Sequence, residues 1–562
     1  MEVNTEYDVD DSVYVYEEII GNPEPTTLRD YREVSGGGKK DLKQTFSSGS
    51  YTATSGVNAD SGSVESSAVL TSTSLSATQR SNIGGSFAWS FLAGSQNYLG
   101  GNAFTGQYAG VCEGILSTVQ TLSLGRSIYS TQSFQASGYF PLALGYALVD
   151  FPGQNGFEKQ GAFIASAAYK DGSISGNMGA EVMKIPESEY IDPIAYGSDM
   201  TAHGDQIAGI VAGAGCLDGF SAQNQFENFN ALFGQGAITG AAGIGEDSFV
   251  SLDYIEARTD GHETAAFEVD AKANGDKAAI IGAGSGKFGR NIGFVSDPSS
   301  FFLFENFDLQ GAISGAAAIG DNNKAEADWI GAITDGERTL AIGEDLKAES
   351  DGLAAVGAAA GNFYWDQKLR RTLFRSGSYQ DLGVQGAVAG AVAAGKDSKA
   401  QADYVGGATN GRRTSAWADD PMAKSDGLAA VGAAAGNFYW DQKLRRTLFR
   451  SGSYQDLGVQ GAVAGAVAAG KDSKAQADYV EGATNGRKTS AWADDPMAKS
   501  EGLAAVGAAA GKFRQNLGQS SAPYGYLNND IEGAITLAVS GGDDSLASAD
   551  FVGATTSGRR TS

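Results

Sequence analysis

Apolar and polar side chains alternate with a period of two along much of this chain, and that period is typical of β-strands. In the stretch Gly386–Val392, glycine and valine share one face while alanine fills the opposite face. In Lys399–Tyr404, alanine and tyrosine face one way, and lysine, glutamine and aspartate face the other. Leu353–Phe363 follows the same rule with small residues on both faces. The pattern predicts strands.

A helical interpretation of these alanine-rich stretches is disfavoured by their glycines. Alanine is the best helix former, but a glycine in a helix interior costs roughly 1 kcal/mol. Three glycines fall within Gly386–Gly395, and Val388 and Val392 add a smaller cost.

Three turn signatures recur at fixed offsets and divide each unit into about four strands. One is the sequence GKDS at Gly395–Ser398, and another is SDG at Ser350–Gly352. The third is Asn410-Gly411, which supplies the positive φ angles of a type I′ hairpin.

The chain is built of tandem repeats. The sequence QGA begins at five positions, a related EGA follows them, and the steps are 75 residues four times and then 72: Gln160, Gln235, Gln310, Gln385, Gln460 and Glu532. Residues 350–424 and 425–499 differ only where Gly406 becomes Glu481 and Arg413 becomes Lys488. Near-identical copies suit an array that repeats one contact better than a single catalytic pocket.

We therefore divide the chain into an acidic N-terminal arm, a Ser/Thr/Gly-rich β region that is a candidate set of degenerate repeats, five repeats and an incomplete terminal repeat. Their bounds are 1–45, 46–159, 160–234, 235–309, 310–384, 385–459, 460–531 and 532–562. The terminal repeat stops just past its second turn, so we expect an open sheet edge that another chain or the N-terminus completes.

These observations predict an all-β fold of tandem ~75-residue repeats, each of about four strands, forming stacked extended sheets or β-arches. Two alternatives remain at this point. One is a β-propeller whose last blade is closed by strands from the N-terminus, and the other is a β-solenoid.

The segment Asn362–Val384 interrupts the small-residue pattern with aromatic and basic side chains. It is a candidate crossover between sheets, a contact loop between subunits, or a short helix around Asp366–Phe374. Its aromatic residues and their copies are candidate subunit contacts: Phe363, Tyr364, Trp365, Phe438, Tyr439 and Trp440.

The net charge of −26 argues against nucleic acid as a partner, because phosphate binding needs a basic surface. No segment reaches the ~20 apolar residues that a membrane-spanning helix needs, so we expect no membrane span. The acidic start lacks the basic and apolar regions of a secretory signal, so either a signal was removed or export is unconventional.

No motif supports catalysis or metal binding. His203 and His262 have no Cys or His at ligand spacing, and Gly282–Phe288 lacks the spacing of a phosphate-binding loop. We predict no enzyme activity, no cofactor and no metal. Paired carboxylates leave no sequence signature, so a β-solenoid enzyme acting on polysaccharides stays the least favoured alternative.

Two cysteines, Cys112 and Cys216, are the whole cysteine content of the chain. They are candidates for one disulfide within or between chains, which suits an extracellular protein, or for two buried small hydrophobic residues.

The stretches QGAVAGAVAAG and LAAVGAAAG, the acidity and the scarcity of cysteine resemble the sheath proteins of filamentous methanogenic archaea. The resemblance is one of overall character across residues 46–562. It implies an extracellular tubular sheath of stacked hoops, in which amyloid-like β-arches continue between subunits.

We therefore expect a self-assembling structural protein at the cell surface, a subunit of a sheath or surface layer whose partner is itself. Subunits would join by continuing their sheets edge to edge. The alternative function is a surface adhesin or carbohydrate-binding repeat protein, since phrases such as SDGLAAVGAAAG resemble the rhythm of trimeric autotransporter heads.

Overall fold

A computed structural model describes twenty stretches of the chain. They are residues 2–9, 13–20, 26–34, 40–48, 50–70, 74–98, 101–125, 127–153, 156–184, 191–223, 227–260, 263–297, 300–335, 338–372, 375–410, 413–447, 451–485, 488–520, 525–557 and 560–561. Within these residues the structure is all-β and contains no helix, which confirms the predicted fold class.

The described residues form 37 strands. Strands β1–β10 are Glu2–Val9, Val13–Ile20, Thr26–Val34, Lys40–Ser48, Tyr51–Ala59, Ser61–Leu70, Leu75–Tyr98, Gly101–Leu124, Ser127–Gly138 and Leu142–Gly153. Strands β11–β20 are Gly156–Tyr169, Gly172–Lys184, Ile191–Gly204, Ile207–Gln223, Glu227–Ile244, Ser248–Asp260, Glu263–Gly275, Ala278–Asp297, Ser300–Ile319 and Asn323–Asp335.

Strands β21–β30 are Arg338–Ser350, Leu353–Thr372, Arg375–Ala394, Ser398–Asn410, Arg413–Asp419, Met422–Ser425, Leu428–Thr447, Ser451–Ala469, Ser473–Gln476 and Tyr479–Asn485. Strands β31–β37 are Lys488–Asp494, Met497–Ser500, Leu503–Ser520, Gly525–Gly541, Ser545–Ser548, Phe551–Ser557 and Arg560–Thr561.

The contacts between residues divide the chain into two compact units. The N-terminal unit comprises Met1–Gly153, Phe157–Cys216 and Gly236–Ile281. The C-terminal unit comprises Gln154–Gly156, Leu217–Gln235 and Gly282–Ser562.

In the N-terminal unit, β7 folds back on itself as a β-arch. Its first half pairs with β6 and its second half pairs with β5. The Nε2 of Gln79 donates a hydrogen bond of 2.7 Å to the Oγ of Ser90, eleven residues further on. A straight strand would hold these residues about 35 Å apart. The bend falls where the register with β8 skips Ser86 and where Gly85 has a φ of 155°.

Residues 1–45, which the sequence suggested as an arm, contribute strands to this unit. β1 pairs with β4, β2 pairs with β3, and β4 and β3 pair in turn with β5 and β6. The acidic composition of this segment therefore does not keep its backbone out of the sheet.

The C-terminal unit has two sheet layers, each built of antiparallel hairpins. Layer A contains β20, β21, β24–β26, β29–β32, β35 and β36. Layer B contains β19, β22, β23, β27, β28, β33 and β34. Each repeat of 75 residues adds one hairpin to layer B and one to layer A, which accounts for the predicted four strands per repeat.

Alanine predominates between the two layers, with one buried valine on every second strand of layer B, namely Val356, Val431 and Val506. On β23 the alanines at 387, 389, 391 and 393 are buried, whereas Val388 and Val392 point outward. The layers approach too closely for larger side chains in places. A Cβ built on Gly482 of β30 would lie 3.1 Å from the backbone oxygens of Ala433 and Ala462 in layer B.

Two of the three predicted turns connect the layers rather than adjacent strands. Residues 395–397 lead from β23 in layer B to β24 in layer A, and 351–352 lead from β21 in layer A to β22 in layer B. These β-arches stack on each other, because the N–H of Gly395 donates to the oxygen of Gly352 over 2.9 Å and that of Gly470 donates to Gly427 over 2.8 Å.

The third predicted turn is a hairpin within layer A, since Asn410 pairs with Arg413. The two residues that join these strands are therefore 411 and 412, one position later than the Asn-Gly interpretation, and they lie outside the described residues.

The segment Asn362–Val384 is neither a crossover nor a helix. β22 continues through Thr372 and β23 starts at Arg375, so the segment is the outer end of a layer B hairpin. The strands of layer B are about seven residues longer than those of layer A (20 against 13 for β22 and β24), and their ends project beyond it.

Candidate assembly surfaces

The first candidate surface is β34, at one margin of layer B. Its register runs along β33, and the described residues provide no second ladder on its other side. Ile531 and Ile535 are each 79% exposed, and Leu537 and Val539 are also exposed. A long apolar strand with unpaired N–H and C=O groups is a template for pairing with another strand.

A ladder of polar residues crosses layer B toward this margin. Consecutive register partners on β19, β22, β23, β27, β28, β33 and β34 are Gln310, Asn362, Gln385, Asn437, Gln460, Lys512 and Glu532. Amide residues thus give way to an ion pair at the margin, where the Nζ of Lys512 lies 3.5 Å from Glu532 and both side chains are 6% exposed. Stacked Asn and Gln are a recognised stabiliser of continuous sheets.

The projecting ends of layer B carry the predicted contact aromatics, but on opposite faces. Phe363 and Trp365 continue the outward face, and Phe438 and Trp440 do the same in the next copy. Tyr364 lies on the other face against Gly383, where a Cβ would meet the ring at 2.0 Å, and Tyr439 lies likewise against Gly458. The structure therefore does not gather the six aromatics into one patch.

A charged strip accompanies these tyrosines. Asp366, Asp381 and Asp441 are consecutive register partners, and burial raises the pKa of Asp381, helped by the charge of Asp441. The Nζ of Lys443 bonds Asp441 at 2.7 Å and lies 4.8 Å from the ring centre of Tyr379. The positive and negative charges of the strip therefore offset one another.

The outward face of layer B contains only glycine and apolar side chains between the arch turns and the aromatic ends. Val388 and Val463 are 58% and 57% exposed there, and Ile313 and Ile535 lie in the same cross-strand row. We call this surface, formed by the outward residues within 309–319, 353–363, 384–394, 428–438, 459–469, 503–513 and 531–541, the ridge face.

Layer A contains a row of aspartates that the sequence analysis missed. Asp345, Asp420 and Asp495 each have a positive φ, are 75 residues apart and lie where the layer A pairing is interrupted. Burial raises the pKa of Asp345, and Asp328 and Asp403 raise it further by repulsion. The recurrent Glu-Asp and Asp-Asp pairs at this spacing were the available signal.

The remaining candidate residues form no site. Neither Cys112 nor Cys216 is part of a disulfide, so a covalent link between chains stays a prediction. His203 lies on β13 and His262 is outside the described residues. Gly282–Phe288 is part of strand β18. In the described part of the chain, three or more His, Cys, Asp or Glu never gather in a way that could hold a metal.

The described residues also include no helix long and apolar enough to cross a membrane. No family model and no curated protein sequence matches the chain.

Proposed function

We propose that this chain is a self-assembling structural protein of the cell surface, a subunit of an extracellular sheath or surface layer. Its two-layer sheet would continue into neighbouring copies through edge strands. The observation that carries the proposal is β34, a 17-residue strand whose outward side chains from Ile531 to Val539 are apolar and which has a ladder on one side among the described residues.

Three features support continuation rather than a capped edge. Natural proteins protect edges with charges, prolines or short strands, whereas β34 is 17 residues long, contains no proline and carries two charged residues, Asp530 and Glu532. Glu532 continues the polar ladder of layer B. The register of layer B also runs without a shift through six strand pairs, so one more strand would meet the same pattern.

Proline scanning of β34 tests this mechanism. Successive N–H groups of a strand point to opposite sides, so of Ala534→Pro and Ile535→Pro one removes a bond to β33 and the other blocks only the outer edge. We expect the edge-blocking variant to keep a wild-type melting temperature and to lose assembly in sedimentation and electron microscopy. Wild-type assembly by both variants would contradict the proposal.

The two variants act as controls for each other. The one that breaks the β33 ladder should unfold at lower temperature, because a buried backbone acceptor then lacks its donor. Loss of assembly without loss of stability identifies an edge effect.

A further inference from the structure

The ridge face has a regular relief. In its central row, large residues on alternate strands are separated by alanine on the strands between them. The row reads Ile313, Ala359, Val388, Ala434, Val463, Ala509 and Ile535. A second row has Val392, Val467 and Val539 separated by Ala430 and Ala505. Each row is a series of knobs about 9.6 Å apart, since neighbouring strands are about 4.8 Å apart.

A trough of glycine separates the two rows. Gly357, Gly390, Gly432, Gly465 and Gly507 are consecutive register partners, and Leu537 closes the trough on β34. A Cβ on Gly465 would lie 2.1 Å from the oxygen of Val431, so the trough cannot hold side chains of its own. The resulting groove has a volume of about 430 Å³ and is lined by Val388, Val463, Val467 and Leu537 among others.

The size of the ridge face exceeds what an isolated surface normally exposes. Seven strands about 4.8 Å apart and eleven residues about 3.4 Å apart along each strand cover roughly 1,000 Å². The largest apolar patch of a typical monomer is about 300–600 Å². One side of a stable protein interface is about 800 Å².

We propose that the ridge face binds the ridge face of a second copy, so that two sandwiches pack sheet to sheet. The relief is complementary to itself, because a shift by one strand places each valine of one copy over an alanine of the other. The chain carries a net charge of −26, and the ridge face bears none of it, so two copies can meet there without bringing charges together.

This contact is distinct from edge continuation. The edge joins strands within one layer by backbone hydrogen bonds, whereas the ridge face joins two layers by interdigitated side chains, as in a dry steric zipper. The symmetric contact closes after two copies and does not itself propagate.

The test uses the full chain with the edge-blocking proline, so that edge assembly does not obscure the result. We expect sedimentation equilibrium to give a dimer of the 57.8 kDa chain. Val463→Lys and Val463→Glu should each weaken dimerisation roughly a hundredfold or more, because a charge is then buried without a partner.

Ser415→Lys, on the outward face of layer A, is the matched control and should leave the dimer unchanged. Melting temperature separates failed folding from failed association, since Val463 is exposed in the single copy. A monomer at all concentrations, or a dimer that survives Val463→Lys, would overturn the proposal. The proposal would also be overturned if the chain with the edge-blocking proline formed no dimer but bound phosphatidylcholine vesicles, and if Val463→Lys abolished that binding.

Discussion

Ser90 in the arch of β7 and Ala464 in the tandem repeats both lie buried between two sheet layers, but in different surroundings. Ser90 is the centre of a hydrogen-bonded group that includes Gln79, Ser81 and Gln120, at distances of 2.7–3.2 Å. The register partners of Ala464 are Ala433 and Ala508, and the residues before and after each partner are glycine and alanine. Polar contacts hold the first interior, and close packing of small groups holds the second.

The difference bears on which region can be extended. A hydrogen-bonded group such as that around Ser90 specifies one arrangement, because each donor needs its own acceptor. The alanine-rich interior presents the same surface at each layer B hairpin of the repeats, so a further hairpin packs as well as the last. Growth by repetition therefore belongs to the alanine region, and the polar arch belongs to a fixed part of the fold.

The largest effect on stability should come from adding a side chain where the two layers of the repeats lie close together. We expect Gly482→Val to lower the free energy of unfolding by about 3 kcal/mol, because its side chain would meet layer B backbone that cannot move aside. Urea unfolding measures this. Gly461→Val is the control, since a Cβ there meets nothing within 4 Å, and it should be near neutral. Equal effects would show that layer spacing is not what limits side-chain size.

Removing the centre of the polar arch should have the next largest effect. Ser90→Ala should cost about 2 kcal/mol, because it leaves the buried amides of Gln79 and Gln120 without a hydroxyl partner. Ser133→Ala, at an exposed position of β9, is the control and should change little. Thermal unfolding distinguishes them, and a neutral Ser90→Ala would mean that packing alone holds this arch.

The stability of the N-terminal unit should also depend on pH, through the titration of Glu268. Burial raises the pKa of this carboxyl to about 8, although Thr239 donates to it over 2.6 Å. The folded state therefore holds a proton that the unfolded chain releases above its ordinary value of 4.5. Stability should fall as pH rises from about 5 to 8, by up to about 1.4 kcal/mol per unit, and then level off.

Glu268→Gln tests this assignment, since an amide does not titrate. Unfolding free energies at several pH values should lose most of the slope between pH 5 and 8 in the variant. An unchanged slope would assign the pH dependence to other groups, such as Asp345, whose pKa is also raised.

The strands, the repeat and the layer A hairpins could be predicted from the sequence, because period-two alternation and Asn-Gly pairs are local signals. The face that is buried could not. Gly386–Val392 offers an alanine face and a valine face, and the usual expectation would bury valine. On β23 the structure buries alanine, because the second layer lies close there: a Cβ on Gly407 would lie 3.2 Å from the oxygen of Ala387. This closeness is a tertiary property.

Two further features could not be predicted from the sequence, because they also depend on tertiary structure. Gly395–Ser398 looks like any tight turn, and only the pairing of β23 and β24 with different partners makes it an arch. The aromatic ends of layer B carry charges on both faces, so their alternation gives no contrast between a buried and an exposed side. These ends form strands because they pair with the equivalent ends of the adjacent strands in layer B.

Electron cryomicroscopy of the assembled wild-type chain tests the central claim most directly. Continuation predicts strands about 4.8 Å apart that run without a break across the boundary between copies, with β34 paired on both sides. Compact particles of one copy, or assemblies in which β34 has no strand beside it, would contradict the account.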